Sequence, residues 1–116
     1  MTMGEIAFTV PILPGKKAAL ERLCASLQGP KSKDVAEMLK RHGSSKETWF
    51  IESGPDGDVC IVYWEAEPVS KPMQEFVGSK HPFDLWLKAE LMGISGVDLN
   101  DPPAMEFPRQ VLRSGY

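Results

Sequence analysis

The side chains in this sequence that could move a proton are few, and two of them, His81 and Asp84, stand three positions apart. At this spacing the carboxylate could orient the imidazole as a general base. A helix start favours the same pattern for a simpler reason, because an N-cap side chain and an acid in the first turn interact well with the helix end. His81 and Asp84 are therefore candidate catalytic residues with a structural interpretation beside them.

Glu52 is a second candidate for proton transfer. The strand pattern places it on one face of a predicted hairpin with Thr48 and Trp64, where a carboxyl group would point into an otherwise apolar surface. Its position near the hairpin end favours exposure at the rim instead, because glutamate is rarely buried without a partner. The sequence leaves both interpretations open.

Four aromatic side chains could shape a pocket for a flat, apolar ligand. Each of them would offer a stacking surface and one polar atom. Aromatic residues are also typical of cores and interfaces, and packing is the simpler interpretation for any one of them. The candidate ligand-binding residues are Trp49, Tyr63, Trp64 and Trp86.

No metal or cofactor motif is present. The two histidines, His42 and His81, cannot form a histidine-rich metal centre, and neither has a His, Cys, Asp or Glu at i, i+4 spacing. His42 ends the apolar stripe of a predicted helix and is interpreted as a helix-end histidine. The segment 54–57 (GPDG) is typical of a turn rather than a phosphate-binding loop, and no serine lies in a G-x-S-x-G motif. We expect no metal and no cofactor, although a mixed site of histidine and carboxylates stays open.

Composition limits the function classes. The chain has 116 residues, 42% hydrophobic and 25% charged, with a net charge of −3, which is typical of one globular domain over residues 1–116. No block of Lys and Arg could follow a phosphate backbone, so we expect no nucleic acid partner.

Met1 to Val10 lacks a signal-peptide pattern, and no apolar run approaches the roughly 20 residues of a membrane span. Cys24 and Cys60 have no C-x-x-C spacing, and we expect a cytoplasmic protein without a membrane partner.

Apolar periodicity predicts an α+β chain. A period of two predicts strands over 5–13, 48–53 and 59–65, with a turn over 44–47, and weaker alternation predicts an edge strand over Phe107–Arg113. Helical spacing predicts four helices that begin near Lys16, Ser32, Ser70 and Pro82. The order predicts a ferredoxin-like fold, in which a four-stranded antiparallel sheet carries its helices on one face.

The predicted hairpin is apolar on both faces. If Gly54 faces Asp58, one face carries Trp49, Ile51, Val59, Ile61 and Tyr63, and the other carries Phe50, Cys60, Val62 and Trp64. Helices on one side of a sheet cover only one face, so we predict that a second identical chain covers the other in a homodimer. The alternative is that the helix beginning at Ser32, or the C-terminal tail, covers that face within one chain.

Several short motifs resemble the dimeric α+β barrel superfamily, which includes the antibiotic-biosynthesis monooxygenase and stress-responsive barrel domains. The motifs are VPILPGKK over 10–17, VCIVYWEA over 59–66, HPFDLW over 81–86 and GVDL over 96–99, and together they look closest to a group of small uncharacterised bacterial proteins. The resemblance implies two four-stranded sheets that form a barrel across a dimer, each with a cavity. Members of the superfamily use that cavity for different chemistry, so the fold does not choose an activity.

Three function hypotheses follow. The first is a dimeric protein that binds a small hydrophobic or aromatic ligand. The second is a cofactor-independent monooxygenase, cyclase or isomerase for a small aromatic or polyketide-like substrate, in which His81 or Glu52 moves a proton. The third is a structural or partner-binding protein without a pocket, whose edge strand recruits another chain.

Overall fold

The computed structural model describes residues 4–104 and 106–115, so Met1–Met3, Met105 and Tyr116 of the predicted domain lie outside the described residues. The described part contains three strands and four helices. The strands are β1 (Gly4–Ile12), β2 (Ser44–Gly54) and β3 (Gly57–Ala66). The helices are α1 (Lys17–Gln28), α2 (Ser32–His42), α3 (Lys71–Gly78) and α4 (Pro82–Ser95).

The three strands form one antiparallel sheet in the order β1-β3-β2. The predicted α+β class is confirmed, and the strand order is consistent with a ferredoxin-like fold. The four-stranded sheet is not confirmed, because the described residues of the segment 107–113 form no strand. That segment is held at β1 by side chains instead, with Gln110 and Arg113 donating to Glu5 at 3.3 and 2.8 Å.

The predicted hairpin register is wrong by one residue. Gly54 pairs with Gly57 rather than with Asp58, so that Trp49 faces Val62 and not Tyr63. A shift of one residue moves a whole strand to the opposite face. Trp49 and Ile51 therefore join Cys60, Val62 and Trp64 on the face under the helices, while Thr48, Phe50 and Glu52 join Val59, Ile61 and Tyr63 on the other.

β2 also begins earlier than predicted. Residues 44–47, expected to form a turn, belong to the strand, with Ser44 opposite Ala66 and Glu47 opposite Trp64. The chain reverses at Gly43 alone, which adopts a left-handed φ of 79° and ends α2. Glycine has no Cβ penalty in this conformation. As a result, His42 and Glu47, which are five positions apart, lie on two different elements, the end of α2 and the start of β2.

One hydrophobic core lies between the sheet and the helices. β1 and β3 contribute alternate side chains to it, as expected for strands with one covered face, and α1, α2 and α4 contribute their inward stripes. The buried apolar residues are Ile6, Phe8, Ile12, Leu20, Leu23, Met38, Cys60, Val62, Trp64, Ala66, Phe83, Leu87 and Ile94. None of the helices that the structure describes has the length and apolar character needed to cross a membrane.

The second sheet face, here named the open face, is built from Ala7, Thr9, Phe50, Val59, Ile61 and Tyr63. Phe50 lies on the β2 side of this face and is 57% exposed. α2 does not cover this face, since its Met38 lies in the core on the opposite side. Tail residues 110–112 reach only its β1 margin, near Ala7 and Tyr63. The described residues of one chain therefore leave the open face uncovered over β2.

Candidate functional site

A cavity of about 80 Å³ lies between the covered sheet face and helices α2, α3 and α4. Its wall is almost entirely apolar, and its aromatic side chains are Phe8, Trp49, Trp64 and Phe76. Ser95 is the one hydroxyl residue among the described lining residues, and it is already bonded to the backbone of Leu91 and Val97. Because a cavity of roughly 10–15 Å³ holds one water molecule, this one has room for on the order of five water-sized groups.

A larger groove lies next to the cavity. This groove of about 310 Å³ between α1, α2 and β2 is lined in part by Met38, Glu47, Trp49 and Leu87, and these same four residues also line the cavity. They therefore stand between the groove and the cavity.

His42 and Glu47 are, besides the Cys60 thiol, the ionisable groups among the described lining residues of the cavity. His42 is the last residue of α2, only 5% exposed, and its ring lies 5.6 Å from that of Phe76. Its Nε2 is 2.8 Å from Oδ2 of Asp84. The imidazole is thus fixed between an aromatic ring and a carboxylate.

Asp84 is fully enclosed in the first turn of α4 and is surrounded by donors. Arg41 donates two hydrogen bonds to its two oxygens, at 2.8 and 2.9 Å, and Ser79 donates a third at 2.6 Å. Burial alone would favour the protonated acid, but the bonds from Arg41, Ser79 and His42 outweigh it and hold the pKa of Asp84 well below its ordinary value. Asp84 is therefore ionised and can only accept hydrogen bonds.

The ionised carboxylate determines the tautomer of His42. Since Asp84 cannot donate, the proton between them is carried by Nε2 of His42, so that in the neutral form of the ring the acceptor is Nδ1. Nδ1 makes no hydrogen bond to a described residue. Among those residues, Nε of Arg41 is the only fully enclosed side-chain nitrogen or oxygen that lacks a partner, so the unpaired Nδ1 of His42 keeps open surface.

Glu47 is the second acid–base group on the wall. It is half-buried on β2, and its Oε2 accepts a hydrogen bond of 2.7 Å from Nε1 of Trp49. Burial raises the pKa of this carboxyl, and the bond from Trp49 offsets only part of that effect. A carboxyl group that keeps its proton carries an O–H donor, which a carboxylate lacks.

The predicted catalytic residues lie elsewhere, except for Asp84. His81 caps α4, with Nδ1 accepting from the backbone N–H of Phe83 at 3.2 Å, and its Nε2 is 3.7 Å from Glu37. Asp84 therefore faces His42 and not His81. Glu52 does not share a face with Trp64 but is exposed near the hairpin end of the open face.

The predicted ligand-binding residues divide into two pairs. Trp49 and Trp64 line the cavity, and Nε1 of Trp64 donates to the carbonyl of Val69 at 2.9 Å. Tyr63 lies on the open face, where its hydroxyl contacts Glu5 and Glu65 at 2.9 and 2.7 Å. Trp86 packs against Phe83 and under Nζ of Lys31, outside the cavity lining.

Sequence reasoning missed both groups that the cavity brings together. A histidine that continues an apolar stripe, as His42 does after Val35, Met38 and Leu39, was a usable signal for a buried polar contact. Glu47 gave none, because it was assigned to a turn. Within the described ranges, no group of three or more His, Cys, Asp or Glu residues is placed to hold a metal ion.

The sequence was also compared with known proteins. No protein-family model matches it, and no curated protein shows significant sequence similarity to it.

Proposed function

We propose that the chain binds a small apolar or aromatic ligand in the cavity between its sheet and its helices. The observation that carries this proposal is the character of the wall, which combines Trp49, Trp64 and Phe76 with aliphatic side chains and only two ionisable groups besides Cys60. Ligand sites in proteins typically have this composition, in which apolar surface gives affinity and a few polar groups give orientation. The cavity alone has room for on the order of five water-sized groups, so a ligand with one six-membered ring would extend towards the groove past Glu47 and Trp49.

Cavity filling tests the proposal. Met73 is half-buried and lines the cavity, whereas Met92 is 49% exposed on α4. Toluene and indole are titrated against the wild type, Met73→Trp and the matched control Met92→Trp, with saturation-transfer NMR as the readout. We expect binding by the wild type and by Met92→Trp and its loss in Met73→Trp. Equal binding by both variants, or none by the wild type, contradicts the proposal.

We further propose that the open face is covered by a second copy of the chain. Three strands about 4.8 Å apart and about 30 Å long present roughly 430 Å² of projected face, before side-chain relief is counted. This is comparable to the largest patch that a soluble monomer leaves uncovered, which is roughly 300–600 Å². The centre of the face, at Phe50, Val59 and Ile61, is apolar, and twofold pairing lets one such patch serve both partners.

Light scattering at micromolar concentration tests the pairing. We expect a dimer for the wild type, a monomer for Phe50→Asp, and a dimer for the control Met92→Asp, because Met92 is exposed on the helical side of the chain. A monomeric wild type would refute the proposal. Circular dichroism of each variant separates loss of pairing from loss of folding.

Membership of the dimeric α+β barrel superfamily and a cytoplasmic location belong with this proposal. The strand order β1-β3-β2 supports the first, because it leaves the β1 edge free for a fourth strand. Cys24 and Cys60 support the second, since both are free thiols and a reducing compartment maintains thiols.

The second candidate function is cofactor-independent catalysis on a small aromatic or polyketide-like compound, as a monooxygenase, cyclase or isomerase. The specific observation in its favour is the presence of His42 and Glu47 on one cavity wall. The residues that the sequence suggested, His81 and Glu52, do not line that cavity. The third hypothesis, a protein without a pocket, has no such observation behind it.

A further inference from the structure

We propose that His42 and Glu47 form an acid–base pair that interconverts the keto and enol forms of a small cyclic ketone bound in the cavity. The inference rests on the proposed ligand binding and adds to it a reaction, a substrate class and two catalytic residues. It depends on three features of the structure: an imidazole whose Nε2 is held by Asp84, a half-buried carboxyl group held by Trp49, and an apolar cavity that both residues line.

His42 supplies the base. Its Nε2–H is engaged by Asp84, whose charge is in turn balanced by the bidentate Arg41. This arrangement leaves Nδ1 as the only ring atom that can accept a proton, and Nδ1 has no partner among the described residues. The contact with Phe76 keeps the ring from turning away. His42 is thus an oriented acceptor on the wall of the cavity.

Glu47 supplies the acid. Trp49 occupies Oε2, which leaves Oε1 free to carry a proton and to donate it to a ligand oxygen. A general acid must be protonated before the reaction begins, and the half-buried position of Glu47 in an apolar wall favours that form. Trp49 also holds the carboxyl group in place, because its ring lines the same wall.

His42 and Glu47 border the same cavity because they are close in sequence, on either side of the turn at Gly43. His42 and Glu47 are five positions apart, and the reversal at Gly43 places one at the end of α2 and the other on β2. Both elements border the cavity of about 80 Å³. A ligand in this volume borders both residues, and we place its carbonyl oxygen at Glu47 and its α-carbon at His42.

The reaction is balanced without a further reactant. Nδ1 of His42 takes the proton from the α-carbon as the C–H bond breaks, and the electron pair forms a C=C bond. The carbonyl π pair moves to oxygen, which bonds to the proton of Glu47 as its O–H bond breaks. The enol is released, protonated His42 gives a proton to solvent, and ionised Glu47 takes one back. No electron is transferred and no atom is lost.

The apolar wall explains why the pair can work in this place. Charge that develops on the ligand oxygen interacts more strongly with Glu47 when water is excluded, because the local dielectric constant is low. The aliphatic and aromatic lining also suits a ketone whose remaining surface is hydrocarbon. A charged or strongly polar substrate finds no further ionisable partner there among the described residues, apart from the Cys60 thiol.

Deuterium exchange tests the inference. Cyclohexanone, a one-ring ketone, is incubated with the protein in D₂O, and incorporation at the α-carbons is followed by ¹H NMR above the buffer rate. Because general acid–base groups contribute roughly 10²–10⁴-fold each, we expect Glu47→Gln to lower the enzymatic rate at least about 100-fold. His42→Gln should lower it to a similar extent.

Two matched controls separate chemistry from general damage. Glu52→Gln changes a carboxyl on the same strand but on the exposed side, and His81→Asn changes the other histidine while keeping an N-cap side chain. Both should exchange at the wild-type rate. Glu47→Gln is the deciding variant if His42→Gln does not fold, since Gln keeps the shape of Glu.

The outcomes distinguish this inference from the proposal it rests on. Saturation-transfer NMR on the same samples reports whether cyclohexanone binds. Binding without exchange above buffer, or exchange that Glu47→Gln leaves intact, overturns the acid–base pair and leaves ligand binding standing. Absence of binding by cyclohexanone, toluene and indole alike overturns both. Exchange that is lost in Glu47→Gln and kept in Glu52→Gln supports the pair.

Discussion

Replacing Asp84 with asparagine should destabilise the fold by about 3–5 kcal/mol at neutral pH, the range observed when one partner of a buried ion pair is removed. The carboxylate is fully enclosed and accepts four hydrogen bonds, two from Arg41 and one each from Ser79 and His42. Hydrogen bonds to a charged group contribute about 1.5–3 kcal/mol each. Their sum overestimates the effect, because part of the cluster can readjust.

The geometry indicates which part readjusts. The amide that Asp84→Asn introduces would keep one accepting oxygen but present an NH₂ group to donors that already point at it, so at least one donor loses its acceptor. The Arg41 side chain is 29% exposed and can recover hydration, whereas His42 is 6% exposed at its side chain and cannot. Water can replace the lost acceptor of Arg41, so His42 is the one enclosed donor that is expected to stay without a partner. Because only one group carries the full penalty, the loss of stability should fall in the lower half of the range.

Urea unfolding at pH 7, followed by tryptophan fluorescence, measures the difference. Against a total stability of about 5–15 kcal/mol, a loss of about 3 kcal/mol is a large fraction and should lower Tm by roughly 10 °C. Asp56→Asn, at the exposed hairpin tip, is the control and should change stability by less than about 0.5 kcal/mol. A change of under about 1 kcal/mol in Asp84→Asn would refute the reasoning.

The pH dependence gives an independent check. The folded-state pKa of Asp84 lies below its unfolded value, so the unfolded chain takes up the proton first as pH falls. The stabilisation is fully present above the unfolded pKa of about 4 and is lost progressively below it. The difference between the wild type and Asp84→Asn should therefore be constant from pH 7 to 5 and shrink towards pH 3. A difference that stays constant to pH 3 would mean that the carboxylate charge contributes nothing.

Three further predictions concern other parts of the chain. Burial raises the pKa of Cys60 to about 11 and also raises the pKa of half-buried Cys24. A disulfide reagent at pH 8 should therefore label Cys24 first and Cys60 only slowly. Labelling in the reverse order would contradict this prediction. Gly43→Ala should lower the free energy of unfolding by about 1 kcal/mol or more, as measured by thermal or urea unfolding, because φ at this position is 79° and the new Cβ would lie 3.0 Å from a lysine side chain. The control Gly78→Ala should not destabilise the fold, because its new Cβ would meet no atom within 4 Å. Lys88→Met should cost about 1–3 kcal/mol in the same assay, since two backbone carbonyls near the end of α3 lose their donor; unchanged stability would show that those carbonyls find other partners.

The order of elements was predictable because each is delimited locally. Gly29 follows α1, Gly43 follows α2 and Gly96 follows α4, and in each case the apolar period changes at that point. His81 before Pro82 indicated an extended residue and a helix start, and the structure shows that geometry with His81 as the cap. Signals of this kind depend on a few neighbouring residues, which is why one sequence suffices to read them.

The pairing of the strands was not predictable in the same way. The two registers of the hairpin differ only in whether the loop keeps two or three residues between its ends, and both place apolar side chains on both faces. Helix packing decides between them, because Trp49 and Ile51 must lie under the helices. The segment 107–113 shows the same limit, since its weak alternation reflects contacts of Phe107 with Phe8 and Trp64 rather than a strand.

The candidate site was missed because its parts meet only in three dimensions. The sequence suggested His81 as the histidine partner of Asp84, but the histidine that contacts the carboxylate is His42, 42 positions away on α2. Glu47 was hidden by the polar run of residues 44–47, which favours a turn until pairing with β3 draws it into the sheet. Only the assembled sheet and helices show that His42 and Glu47 border one space.

Stability does not explain why the Asp84 cluster stands beside the cavity. Buried ion pairs are often no more stabilising than apolar side chains of the same volume, because the desolvation of each charge opposes their attraction. An apolar cluster at these positions would hold α2 against α4 without that cost. What apolar residues cannot do is fix the proton on one nitrogen of His42 and leave the other accepting. The orientation of that one imidazole on the cavity wall is therefore the property that the charged cluster specifically provides.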